Sequence, residues 1–154
     1  MNLLCDNMTK EIILKLLNNA LELEHAARIQ YLSHAEIVDG LNAEPIIARL
    51  KEIAEDEKKH EEKFRNLVGL LGGVPSMGIS ATHTAKDVKE VLEQNLKDEK
   101  VAVDTYRGIL EAVRKEGPKY YDYLLEHEIR HVITDEQEHM TELELLLGTQ
   151  GASY

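Results

Sequence analysis

Glu24, Tyr31, Glu57 and His60 read E-x6-Y-x25-E-x2-H, and Glu99, Tyr106, Glu136 and His139 read E-x6-Y-x29-E-x2-H. A lone E-x-x-H means little in a chain with 29 acidic residues. Two copies, each preceded by a Glu and a Tyr at the same internal spacing, are much harder to obtain by chance. On a helix, Glu and His at i and i+3 project to one side. Joined by one Glu from each partner helix, they make four carboxylates and two imidazoles. That donor set suits a pair of iron or manganese ions. Oxygen and nitrogen ligands fit these metals, and the absence of Cys from the motif excludes a soft thiolate site. The chemistry on offer is metal-based redox.

The elements that carry the motif are long amphipathic helices, with apolar residues at alternating steps of three and four. The first stripe is Ile13, Leu17, Ala20, Glu24, Ala27, Tyr31, His34 and Val38, and the second is Ile46, Leu50, Ile53, Glu57, His60, Phe64, Leu67 and Leu71. The third is Val88, Leu92, Asn95, Glu99, Ala102, Tyr106, Ile109 and Val113, and the fourth is Leu125, Ile129, Val132, Glu136, His139, Leu143 and Leu146. Every motif residue therefore falls on a core-facing stripe. An ionised carboxylate buried without a partner costs several kcal/mol, and neighbouring carboxylates raise one another's pKa. Lys and Arg are missing from the stripes, so bound cations are the economical compensation. A polar network that only fixes register competes with this reading, and two matched copies argue against it.

Punctuation places the helices at about 9–39, 44–71, 86–116 and 119–147, in one domain over 1–154. Thr9 is the expected cap of the first helix and Asp39-Gly40 its end. Pro45 suits the first turn of the second, and Gly72-Gly73 its end. Gly117-Pro118 separates the third from the fourth, and Gly148 stops the fourth. Two short connections make antiparallel hairpins of helices one and two, and of three and four. The longer Gly/Ser/Thr-rich stretch from Gly72 to Ala85 can run the length of the bundle. The expected fold is all-α: a four-helix bundle, two antiparallel helix hairpins joined by a long crossover.

Composition narrows the function classes. Leu, Glu, Lys and Ala dominate, all strong helix formers. A net charge of −11 argues against nucleic acid as a partner. The single cysteine, Cys5, cannot form an internal disulfide, which suits a reducing cytosol. No signal peptide opens the chain, and no apolar run approaches the roughly 20 residues of a membrane span. A cytoplasmic protein with no membrane partner is expected.

Other candidates read differently. Glu128 and His131 form another E-x-x-H on a mostly polar face, and Glu22 and His25 a further one. Both pairs are expected in solvent. Tyr31 and Tyr106, two turns after Glu24 and Glu99, are expected either to hydrogen-bond a ligand carboxylate from the opposite helix or to act as local redox residues. His34 reads as a core or rim histidine. Asp56 and Glu52 read as solvated acids or as guides for a cation moving inward.

The stretches LELEHAARIQYLSHA, EDEKKHEEKF, NLKDEKVAVD and TDEQEHMTELELLLG resemble the four ligand-bearing helices of the ferritin-like superfamily, and of its bacterioferritin branch most closely. The resemblance covers roughly residues 10 to 148. It implies that Glu57 and Glu136 bridge two metals, that Glu24 and Glu99 are terminal ligands, and that His60 and His139 each supply a nitrogen. It also implies a ferroxidase centre, with two iron ions per subunit and manganese as the other fitting metal, oxidising Fe(II) with O2 or H2O2 for iron storage or detoxification. Glu57, Glu136, Tyr31 and Tyr106 are the residues expected to carry catalysis. Bacterioferritins have a haem-ligating Met immediately after the first bridging Glu; Lys58 stands there, so no haem is expected. Ferritins and bacterioferritins extend into a short fifth helix. Here GTQGASY follows Leu147, an outline closer to Dps-like miniferritins, and a homo-oligomer, dimer or hollow shell, is expected. Tyr106 is also similar to the second tyrosine of rubrerythrins, which makes a peroxide reductase using the same centre the alternative function.

Overall fold

The computed structural model describes residues 3–119 and 121–154, with side chains from Thr9 onward. Four helices account for it: α1 (Leu3–Ala35), α2 (Ala43–Leu70), α3 (Val88–Lys115) and α4 (Asp122–Leu147). None is long and apolar enough to cross a membrane, among the described residues. The side chain of Cys5 lies outside the described residues.

Ile13, Val113 and Leu125 share one end of the core. At the other end Val88 packs with Ile46 and Leu147. The hairpins α1–α2 and α3–α4 are thus each antiparallel, and α1 opposes α3 as α2 opposes α4. Between the ends lie two apolar layers. One holds Leu17, Phe64, Ile109 and Val132; the other holds Ala35, Leu50, Ile53 and Val91. The doubled motif sits between them.

Helix ends follow local chemistry, and several differ from expectation. α1 runs through Thr9 from Leu3, so Thr9 caps nothing. α1 also stops at Ala35, four residues early, where Glu36 and Ile37 donate to the Ser33 and His34 carbonyls and tighten the last turn. At the end of α2, Gly72 takes φ +72°. Its N–H reaches the Gly69 carbonyl at 2.9 Å, and the Gly73 N–H reaches Val68 at 2.9 Å. This is a Schellman closure, which needs the left-handed residue. α3 starts after Asp87, whose side chain accepts from the Glu90 N–H at 2.9 Å. α4 begins at Asp122 rather than Lys119, with an acidic first turn.

The connection from α2 to α3 climbs back along α1. Asn18 donates to the Val74 carbonyl at 3.1 Å and accepts from the Ser76 N–H at 2.8 Å. Higher up, the Ser80 N–H donates to the Glu22 carbonyl at 3.1 Å, and His25 Nδ1 donates to the Gly78 carbonyl at 2.7 Å. Near the top, the His83 N–H donates to Gln30 Oε1 at 2.7 Å. The crossover therefore spans the bundle, and this is what makes α1 and α3 antiparallel.

Candidate metal centre

Four helices each contribute one carboxylate to the middle of the bundle: Glu24, Glu57, Glu99 and Glu136, with His60 and His139 one turn along α2 and α4. All six are buried. Their donor atoms form two overlapping groups, Glu24–Glu57–His60–Glu136 and Glu57–Glu99–Glu136–His139, each with all its atoms within 4.8 Å of one another. Glu57 and Glu136 belong to both. The structure thus brings together all six residues that the spacing singled out.

The two groups mirror each other. His60 Nδ1 lies 3.0 Å from Glu57 Oε2, 3.2 Å from Glu136 Oε1 and 3.6 Å from Glu24 Oε2. His139 Nδ1 lies 2.9 Å from Glu136 Oε2, 3.5 Å from Glu57 Oε1 and 3.6 Å from Glu99 Oε1. The tyrosines exchange across the bundle: Tyr31 donates to Glu99 and Tyr106 donates to Glu24. Burial, reinforced by the facing carboxylates, pushes both phenols well above their ordinary range, so each stays a proton donor.

Electrostatics show how strongly the clustered groups act on one another. Burial, with the charge of Glu136 next, raises Glu24 and raises Glu99 to about 8. Burial and three neighbouring carboxylates raise Glu57 well above its ordinary value. Burial also opposes ionisation of Glu136, but hydrogen bonds from His139 and His60 outweigh it and hold this group down to about 2. The imidazoles respond in kind. Burial disfavours their charge, yet carboxylate hydrogen bonds prevail, lifting His60 and pushing His139 up to about 11. Glu57 is 0 % exposed, and its Oε1 makes no hydrogen bond. Such an orphaned buried oxygen costs about 1–3 kcal/mol or more unless something positive meets it. A hard cation is the group this donor set fits.

Two aspartates face the imidazoles: Asp135, which the sequence did not single out, and Asp56, which reads there as a solvated acid or a guide for a cation. His60 Nε2 lies 3.1 Å from Asp135 Oδ2, and His139 Nε2 lies 3.5 Å from Asp56 Oδ2. Each Asp orients the imidazole of the other half, leaving Nδ1 to face the carboxylates. The hydrogen bond from His60 depresses the pKa of Asp135. The signal was present: both copies read D-E-x-x-H. Asp135→Asn is expected to weaken divalent-metal affinity about 10–100-fold while leaving the fold intact, measured by Mn(II) titration calorimetry.

The competing pairs lie elsewhere. Glu128 faces Lys63 at 3.8 Å, and His131 is exposed. Glu22 and His25 are half-buried rather than solvated: Glu22 accepts from Ser76 Oγ, and His25 Nε2 meets Arg65 at 3.2 Å. They clamp the crossover. His34 is buried between Asn95 Oδ1, at 3.1 Å, and the His83 carbonyl, at 2.8 Å. A cavity of about 200 Å³ between α1, α3 and the crossover reaches Glu99 and Glu136.

The family model for the ferritin-like domain matches residues 14–150. The chain belongs to the ferritin-like family. This ferritin-like chain is 26 % identical over 133 residues to a bacterioferritin of Desulfovibrio desulfuricans, an alignment covering 86 % of this chain and 72 % of that protein. Among solved structures, ferritin-like, diiron-carboxylate proteins from Bacillus anthracis align with a TM-score of 0.85 at 25 % identity, over 96 % of this chain and 99 % of that one. A dodecameric thioferritin, the bacterioferritin-related protein from Bacteroides fragilis, aligns with a TM-score of 0.80 at 26 % identity, over 90 % and 86 %. The ferritin-like bundle and its di-iron carboxylate neighbours agree with the four-helix architecture and the clustered ligands described above.

Proposed function

We propose that this ferritin-like protein is a non-haem di-iron ferroxidase that oxidises Fe(II) with O2 or H2O2 in iron storage or detoxification. The observation that carries the reading is the pair of four-ligand groups sharing Glu57 and Glu136. In this reading Glu57 and Glu136, which belong to both groups, would hold both substrate irons. Glu24 with His60, and Glu99 with His139, complete one ion each. Manganese fits the same donors. Each Fe(II) gives up one electron, and the pair reduces O2 to H2O2, or H2O2 to water, with two protons consumed. Hard anionic carboxylates favour the more highly charged ferric product. Tyr31 and Tyr106 hold the terminal carboxylates in place through their phenolic protons.

Haem has no place in this reading, because Lys58, and not a thioether ligand, stands at the position after Glu57. The dodecameric relative supports a homo-oligomer, and the cytosol is the expected compartment.

The doubled tyrosine favours a second reading, a rubrerythrin-like peroxide reductase with the same centre. Anaerobic Fe(II) loading followed by stopped-flow mixing with O2 or H2O2 separates the two. A ferroxidase takes up and oxidises Fe(II) far beyond two ions per chain and accumulates ferric product. A peroxidase stops at the filled centre and consumes peroxide only when a reductant returns it to Fe(II). No oxidation faster than that of free Fe(II) overturns both.

A further inference from the structure

Beyond the centre, α4 carries two more metal-ligating side chains in line with it. His127 and His131 stand two turns and one turn before Asp135, at four-residue steps on one helix face. Both are exposed, and their rings lie 4.4 Å apart between centroids, tilted by 57°. Two imidazoles at i and i+4 form a bidentate chelate, the arrangement by which a helix holds zinc through two histidines. A tetrahedral cation bound at about 2.0–2.1 Å needs its two nitrogens about 3.3 Å apart, which small side-chain rotations reach from this ring separation.

The neighbouring carboxylates are engaged elsewhere. Glu126 binds Arg114 and Arg130, at 2.9 Å each. Glu128 faces Lys63 at 3.8 Å. The histidines are the ligands left on this face. Its inner end is Asp135, whose side chain is 44 % exposed while its Oδ2 touches His60. Asp135 thus meets solvent and the buried centre at once. From His127 to Asp135 the helix rises about 12 Å, in two steps of about 6 Å.

The first half of the chain lacks this file. The positions matching His127 and His131 there are Ala48 and Glu52, and Glu52 is held by Arg49 at 2.9 Å. The symmetry of the two halves breaks where a cation would first meet the protein.

We propose that His127 and His131 form a surface site for one borderline divalent cation, of the Fe(II) and Zn(II) class, and that this site passes Fe(II) to Asp135 on the way inward. The transfer rests on the ferroxidase reading; the surface site does not. Redox-inert Zn(II) tests the site by titration calorimetry on the full-length protein. Wild type binds one more Zn(II) per chain than the His127→Ala/His131→Ala variant, with helicity equal by circular dichroism. Equal stoichiometry overturns the site. The transfer is tested by initial rates of Fe(II) oxidation. The same variant needs at least about three-fold more Fe(II) for half its maximal rate; an unchanged half-saturating concentration overturns the transfer. If wild type oxidises no Fe(II), the ferroxidase reading and the transfer fail together, and the Zn(II) stoichiometry still decides the surface site.

Discussion

Glu57→Ala and Glu136→Ala are each expected to slow Fe(II) oxidation by on the order of 10²-fold or more, beyond the 10–100-fold typical of losing an outer-sphere partner. Each side chain belongs to both four-ligand groups, so one substitution removes a ligand from two ions. Glu128→Ala is the control. Its carboxylate faces a half-buried lysine at 3.8 Å, a near-surface contact worth about 0–1 kcal/mol, and its oxidation rate stays within about two-fold of wild type. Stopped-flow absorbance of the ferric product measures all three. Glu57→Gln separates a metal ligand from a structural one. Without metal, Glu57 is buried, its Oε1 makes no hydrogen bond, and its carboxyl is pushed well above the ordinary range. Replacing it with a neutral amide of equal size therefore holds or raises the melting temperature of the metal-free protein. With Mn(II), the same variant loses much of the metal-induced gain. A large drop in the metal-free protein would instead mark Glu57 as part of a network whose task is register.

Filling the centre with Mn(II) at pH 7 is expected to release more than two protons per chain, one from each imidazole and most of another from Glu99, read by titration in unbuffered solution. The sign follows from the raised values. His139, pushed up to about 11, and His60, raised likewise, both carry a second ring proton at neutral pH in the metal-free protein. Only a deprotonated Nδ1 can bind a cation, so loading expels those protons. Affinity therefore falls as pH falls, by about 10²-fold in the overall constant per pH unit when two protons are exchanged. Glu99, pushed up to about 8, adds to this dependence below that pH. A metal affinity flat between pH 6 and 8 would contradict the assignment of these groups as ligands.

The six buried acid and imidazole side chains were legible because their types clashed with their place on an apolar stripe. Charged groups there demand an explanation, and helical spacing fixes which of them can meet. Asp56 and Asp135 were not legible in the same way. Each sits one residue before a Glu shared by both groups, about 100° around the helix, where an acid looks solvated. Their partners are imidazoles on another helix, and no single helix shows that. The same blindness applied to Glu22 and His25. Amphipathic patterning assigns a polar face to water, whereas here the crossover, which has no periodicity of its own, lies on that face. The start of α1 and the start of α4 were misplaced because Thr9 and Pro118 carry strong local signals that the longer packed helix overrides at one end and does not obey at the other.

Neither half of the chain owns a complete set of ligands. Each group borrows one carboxylate from the other hairpin, each tyrosine reaches the opposing Glu, and each aspartate steadies the opposing imidazole. Two identical hairpins meeting about a dyad would assemble the same nest of ligands with no crossover at all. The covalent link, then, supplies concentration rather than architecture: a chain severed near the exposed Thr82 would keep its two pieces together through the apolar layers they share.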